Sequence, residues 1–397
     1  MKMANKYPTV MIHGFFGFGE GNIINTVLPY WGFRPDRKVI PFLEAKGYEV
    51  YQPHVGPFNS AWDRACILYA YLFGGTVDFG KVHSEKYHHA RYGRTYPGVL
   101  KDLGQTEAHK KINVVGHSFG GPSVIAFTGL MTGGAPEEVA ATPEEELSPL
   151  FKGGHGDLIH CATTLSGVNN GTGFASWLRE FGVVAVCDVV LLLNAFLKDT
   201  AFPKFWDFYL DQFGYNMEPS KCKALHFQNP FKSWKDIQVY AKNQRDNIGH
   251  EMQYESMKAI NDYMPISDKT YYFARLACRT HAGKNGKHVP NKNMMFLCAS
   301  VARLCNYIAN APEEYHADES WYPSDGMVNV EGQKAPYNKP SADWDGKDAS
   351  GLKAGIWYNM PVEDKDHMSW AGYGEKPMVL YKYYEDMLKL FADLPDA

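Results

Sequence analysis

The chain lacks closely spaced cysteines. Its seven cysteines, Cys66, Cys161, Cys187, Cys222, Cys278, Cys298 and Cys305, include no Cys-x-x-Cys pair. An odd count at wide spacing fits buried free thiols better than a disulfide framework. One bridge, Cys298 to Cys305 or either of them to Cys278, stays open. Excess positive charge is also missing: the net charge of −4 argues against a nucleic-acid partner. Long apolar runs are absent too. The longest, Phe181 to Leu197, falls short of a membrane span of about 20 residues and carries Asp188 and Asn194 inside it. The start of the chain, Met1 to Pro8, has no apolar leader core, which leaves a cytoplasmic protein or a secreted one whose leader is removed. There is no internal repeat and no linker that divides the 397 residues, a length within reach of one α/β domain with insertions. Apolar residues are plentiful at 45%, enough for a large core.

Within that frame one motif dominates. The β-branched run Lys111-Ile112-Asn113-Val114-Val115 reads as a buried strand, and Gly116-His117-Ser118-Phe119-Gly120 follows it directly. A Gly-x-Ser-x-Gly after a strand, continuing into the helix-compatible Gly121 to Phe127, reads as the nucleophile elbow of an α/β-hydrolase. Ser118 is then the nucleophile, and the N–H of Phe119, at the start of the helix, can bind an oxyanion. Near the N-terminus, the strand-like Tyr7 to Ile12 leads into His13-Gly14-Phe15. A sharp loop there would present the N–H of Phe15 to the same cleft.

Elsewhere the pattern predicts helices over 37–47 and 60–73 and strands at 49–52, 160–165 and 270–275, with a last helix over 377–392. Loops are expected over 132–157, 281–293 and 331–354. The segment 76–97 collects Asp78, His83, His88, His89, Arg91 and Arg94 with little core pattern, and reads as an insertion with a polar centre. Long apolar helices are expected over 174–215.

Hydrolases of this fold order their triad serine, acid, histidine. His367 is the last histidine, just before the final helix, where the fold expects its base; His160 falls too early, and His281 and His288 lie in a polar loop. For the acid, Asp325 precedes Gly326 in a tight turn able to face an imidazole; Asp343, Asp345 and Asp348 compete from a more polar loop.

These pieces, together with Gly56-Pro57, Trp62-Asp63-Arg64-Ala65-Cys66, Gly74 to Asp78, His89 to Gly98, Leu147 to Phe151 and Gly153-Gly154-His155, give the chain its likeness. It resembles the zinc-containing thermoalkalophilic lipases of bacilli and staphylococci, from about Pro8 to Ala392. The resemblance implies one α/β-hydrolase domain over 1–397 with a mostly parallel sheet, zinc-site insertions at about 60–97 and 216–260, and lid helices at about 174–215. It implies Ser118, Asp325 and His367 as the triad and Phe15 and Phe119 at the oxyanion hole. It implies a structural zinc held by Asp63, His83, His89 and Asp246, with His88 a competitor for His89. Spacing alone does not reveal this set. Calcium is not expected at the family position after the base, because Ser369 and Gly374 stand where carboxylates are wanted and Glu375 is a poor substitute.

The implied activity is serine-dependent hydrolysis of carboxylic esters, triacylglycerols or other apolar esters, at a lipid or polymer interface. The alternative is a short-chain carboxylesterase or polyesterase acting on aliphatic-aromatic polyesters. An amidase, a thioesterase or a non-catalytic binding protein on the same scaffold are the remaining rivals. The resemblance implies a secreted protein, and no obligate protein partner is evident.

Overall fold

Strands rich in Val, Ile and aromatic residues with no polar alternation must be buried on both faces, which only a sheet covered by helices allows. The computed structural model, which describes residues 5–180, 201–209, 211 and 245–397, has that arrangement. Seven strands form one sheet in the order β10-β11-β7-β6-β5-β1-β2. They are β1 (Thr9–Ile12), β2 (Val50–Tyr51), β5 (Ile112–His117), β6 (Ile159–Leu165), β7 (Tyr271–Arg275), β10 (Ser341–Asp343) and β11 (Trp357–Asn359), and every pairing among them is parallel. This is the α/β-hydrolase arrangement expected from the elbow motif.

Successive side chains go to opposite faces. Val10 and Ile12 join the core beneath the helices Ala61–Phe73 and Gly120–Gly133, whereas Met11 joins the core of the other face with Trp31, Tyr384 and Phe391. The helices Val39–Ala45 and Pro377–Asp393 cover that second face. The helix Gly120–Gly133 is buried almost all round, so its sequence shows no polar stripe.

Three loop expectations change, and the expected insertion takes a definite form. The polar segment 76–97 is a folded unit: β3 (Gly75–Asp78) and β4 (Tyr92–Tyr96) pair antiparallel around the helix Lys81–Tyr87. The segment 132–157 contains the helices Pro136–Ala141 and Pro149–Lys152, each opened by a proline that suits a first helical turn. The segment 281–293 holds part of a hairpin, β8 (Thr280–Ala282) with β9 (His288–Pro290). The segment 331–354 contributes β10, an edge strand whose residues are all exposed and therefore carry no apolar pattern. The cysteines Cys66, Cys161, Cys278, Cys298 and Cys305 are free, so no bridge joins Cys278, Cys298 and Cys305; Cys187 and Cys222 lie outside the described residues. Of the expected helices over 174–215, the structure describes Gly173–Glu180 and Phe202–Phe205, and residues 206–209 run on as irregular chain; residues 181–200, 210 and 212–215 lie outside the described residues.

Candidate active site

Parallel strands of this kind deliver their C-terminal ends, and the loops after them, to one edge of the sheet, where open α/β folds place their sites. Ser118 follows β5 at φ +60°, the left-handed region that a non-glycine residue adopts only where its surroundings hold it. Its N–H donates to the Leu165 carbonyl at the end of β6 (3.0 Å), and its carbonyl accepts from Gly121 (2.9 Å). The turn is therefore tied to both the neighbouring strand and the following helix. A side chain at Gly116 would fall 2.1 Å from the Gly120 carbonyl oxygen, so this glycine is what lets strand and helix close.

The loop after β1 lies directly against the serine. A Cβ at Gly14 would sit 2.5 Å from Ser118 Cβ and 3.0 Å from its Oγ. Gly14→Ala is expected to lower turnover about a hundredfold, because displacing a reacting group by about 1 Å is that costly. Steady-state kinetics on a soluble ester measures this, and an alanine variant of full activity would contradict the placement.

The loop is held from below. Arg64, wholly buried, donates through Nη1 to the Gly56 carbonyl (3.0 Å) and through Nη2 to the His13 carbonyl, and its guanidinium lies 5.6 Å from the centre of the Phe119 ring. Burial pulls its pKa down to about 9. His13 is kept neutral, well below its ordinary range, by burial and then by the Arg64 charge. The aromatic rings of Phe15, Phe16, Phe58 and Phe208 pack edge to face over the same loop, and Trp206 lies tilted against Phe16. Arg94 on β4 pairs with Asp207 and Asp211, anchoring the segment that carries Trp206 and Phe208.

Asp325 and His367 meet across 42 residues of chain. Asp325 Oδ2 is 2.7 Å from His367 Nδ1. Its other oxygen accepts from the N–H groups of Met327 (2.9 Å) and Val328 (2.8 Å). The turn thus locks the carboxylate toward the ring, and the His367 N–H donates to the Asp325 carbonyl (3.0 Å). Among the described histidines, His367 is the one bonded to Asp325. The competing Asp343 lies on the exposed edge strand, bonded to Asn359, and Asp345 and Asp348 cap exposed turns. Asp366 accepts from the Ser369 N–H (3.1 Å) and pairs with Arg279 (3.3 Å), which steadies the turn carrying His367. Nearby, Lys365 Nζ lies 3.5 Å from Glu363 and 3.9 Å from Glu375, so the one acidic residue near the expected cation position already faces an ammonium.

A second cluster lies at the start of the helix Ala61–Phe73. Ligand atoms of Asp63, His83, His89 and Asp246 all fall within 4.8 Å of one another. His83 Nε2 is 3.1 Å and His89 Nε2 3.2 Å from Asp246 Oδ2. Each element aims one ligand. Ser60 caps the helix by accepting from the Asp63 N–H (3.1 Å). Glu138 accepts from the N–H groups of Val82 and His83 (3.0 and 2.7 Å) at the start of the next helix. His83 stacks on Trp62 at 4.9 Å, and the Ala90 carbonyl, 2.9 Å from His89 Nδ1, holds the proton there so that Nε2 faces the cluster. His88 is exposed at the helix end in the left-handed region, so it is His89 that joins the group. Two nearly inaccessible carboxylates facing two imidazole nitrogens are the donor chemistry of a tetrahedral divalent cation.

Sheet, elbow, oxyanion-type loop and a buried acid–imidazole pair together define an α/β-hydrolase-fold protein. A family profile described as "Lipase-like, C-terminal domain" matches residues 5–394, and the chain belongs to that family. It is 31% identical over 372 residues to Lipase 2 of Staphylococcus aureus, covering 93% of this chain and 50% of the relative; the chain spans about half the length of the curated relatives it matches. Among solved structures it is similar to the lipase of Staphylococcus hyicus (27% identity, TM-score 0.81, 98% of this chain and 97% of that one). It is also similar to EstA from Clostridium botulinum (30% identity, TM-score 0.80, 100% and 89%).

Two residues that hold the loop after β1 carry no local sequence signal: Arg64, and Tyr30, whose Oη accepts from the Gly14 N–H (2.8 Å). Arg64 sits inside a matched motif but carries no sign of its backbone partners. Tyr30, in Leu28-Pro29-Tyr30-Trp31, looks like an ordinary core aromatic.

Proposed function

We propose that the chain is a serine-dependent carboxylic ester hydrolase, of lipase type, acting on apolar esters at a lipid or polymer surface. The observation that carries this reading is the buried Asp325–His367 pair at 2.7 Å, whose imidazole lies 4.8 Å from the ring of His117, the residue before the serine held at positive φ on the elbow. His367, with its Nδ1 proton on Asp325, takes the Ser118 proton at Nε2 as Oγ attacks the ester carbonyl. The Phe15 and Phe119 N–H groups receive the oxyanion. The protonated His367 returns the proton to the departing alcohol, and water, activated by the same imidazole, cleaves the acyl-enzyme. Asp325→Asn keeps the shape and loses the tautomer control; kcat is expected to fall by about 10⁴ with KM little changed. Steady-state kinetics checks this, and a loss under tenfold would speak against Asp325 as the acid.

The metal in this reading is zinc, held by Asp63, His83, His89 and Asp246. Four protein donors leave no open position, so it supplies a cross-link between the 60–97 and 246 segments and no chemistry at the ester. The site after His367 takes no calcium, a reading supported by the Lys365 ammonium beside Glu363 and Glu375. The single domain with a lid over 174–215, and secretion, belong to the same proposal; among the described residues no helix is long and apolar enough to cross a membrane.

The test of substrate class is hydrolysis of esters from acetate to long-chain triacylglycerol emulsion, with a polyester film alongside. Long chains favoured, with a jump above the solubility limit, is the expected result. Preference for short soluble esters with acid released from the film would make the alternative, an open-clefted polyesterase, the better reading.

A further inference from the structure

One hydrogen-bonded chain runs beneath the site and uses residues that the reaction itself does not. The Gly14 N–H donates to Tyr30 Oη (2.8 Å). Tyr30 Oη is 2.7 Å from His117 Nδ1, and His117 Nε2 is 2.9 Å from the His367 carbonyl oxygen. Tyr30, His117 and His367 are all buried. The proton directions follow from the donors available. Tyr30 accepts from Gly14, so its single O–H points to His117 Nδ1, which must carry a lone pair. The ring proton is then on Nε2 and is donated to His367. Only a neutral imidazole in that one tautomer satisfies every atom. Burial, and then the neighbouring His367, hold His117 well below its ordinary pKa, and burial holds the Tyr30 phenol above its own.

The chain ends on backbone that matters. The His13–Gly14 peptide is gripped at both edges, its carbonyl by Arg64 and its N–H by Tyr30. The next carbonyl, Gly14 O, accepts from Gly17 N–H (3.1 Å) and faces His13 Nδ1 (3.0 Å). Because a peptide unit is planar, fixing Gly14 O fixes the direction of the Phe15 N–H that shares its plane. His117 immediately precedes Ser118, and the relay's last acceptor is the backbone of His367 itself.

We propose that Tyr30 and His117 are positioning residues, a buried relay that locks the oxyanion loop, the nucleophile elbow and the base-bearing turn into one register. The inference rests on the ester-hydrolase reading above, and it assigns a task to the residue before the serine and to an aromatic 87 residues away from it. Neither side chain touches the ester. Their contribution is geometric, and it appears in turnover and leaves binding alone.

Tyr30→Phe removes one oxygen and keeps the ring, which packs edge-on against Trp31 (5.1 Å) and Phe18 (5.9 Å). On a soluble nitrophenyl ester kcat is expected to fall roughly tenfold, the cost of about one hydrogen bond, with KM within about twofold. The double variant with His117→Phe should lose no more than the worse single one, because both interrupt the same chain. Nitrogen-15 NMR of histidine-labelled wild-type protein gives a reading that needs no variant to fold: His117 should hold its proton on Nε2, with Nδ1 bare, at neutral pH. A His117 protonated on Nδ1, or a Tyr30→Phe enzyme with full kcat, would overturn the relay while leaving an active wild type as an ester hydrolase. A wild type that cleaves no ester would instead overturn the reading on which the relay's purpose rests.

Discussion

Ser118→Ala is expected to lose between about 10⁴ and 10⁶ of the wild-type kcat on a soluble nitrophenyl ester, because nucleophile and base act as a unit and either loss disables both. The fold should be indifferent to the change. Ser118 is held by its backbone, through Leu165 and Gly121, and removing a hydroxyl from a nearly closed position leaves the elbow intact. Circular dichroism and melting temperature should therefore match the wild type. His367→Ala should fall to a similar floor, and the double variant should go little lower. An alanine variant at Ser118 retaining wild-type rate would remove the acyl-enzyme from the account altogether.

Removing the proposed metal is the second large expected effect, and it falls on stability. Asp63 and Asp246 are almost inaccessible to solvent. Burial by itself would raise the Asp246 pKa; the two imidazoles outweigh it and hold that carboxylate below the usual range. A bound divalent cation adds its own binding free energy to the folded state, about 4 kcal/mol where free metal exceeds its dissociation constant a thousandfold. For a chain of this size that corresponds to a fall in Tm of about 5 °C on chelation. The initial rate at 25 °C should change less than about twofold, because the cluster holds the Lys81–Tyr87 helix and the start of the Ala61–Phe73 helix and supplies no group to the ester. His89→Ala should reproduce the loss and make the protein insensitive to chelator. Differential scanning calorimetry with elemental analysis of the purified protein measures both, and equal Tm with and without stoichiometric metal would contradict a structural role.

The parts of this architecture that were legible in the chain are those whose burial is written in residue type. β5, β6 and β7 are apolar runs because helices cover both faces, and the elbow announces itself because the serine needs glycines on either side. The His-Gly pair after β1 was legible for the same reason. What stayed hidden depends on partners distant in sequence. His83 and Asp246 meet across 163 residues, and no local pattern marks such a pair; the resemblance, and not the spacing, brought them together. β10 has no apolar signature because Ser341, Ala342 and Asp343 are all exposed at the sheet edge. The segment 76–97 looked coreless because its hairpin is small and organised around polar groups. Tyr30 was invisible as a positioning residue because a phenol that bonds to a backbone N–H and a buried imidazole has the same sequence context as one that merely fills space.

The central claim is that Ser118 is an activated nucleophile. Treating the intact protein with a fluorophosphonate and mapping the adduct by mass spectrometry tests it most directly. The account predicts stoichiometric modification at Ser118, loss of ester turnover in step with labelling, and labelling at least about a hundredfold slower in His367→Ala. No adduct at Ser118, or labelling that His367→Ala leaves unchanged, would contradict it.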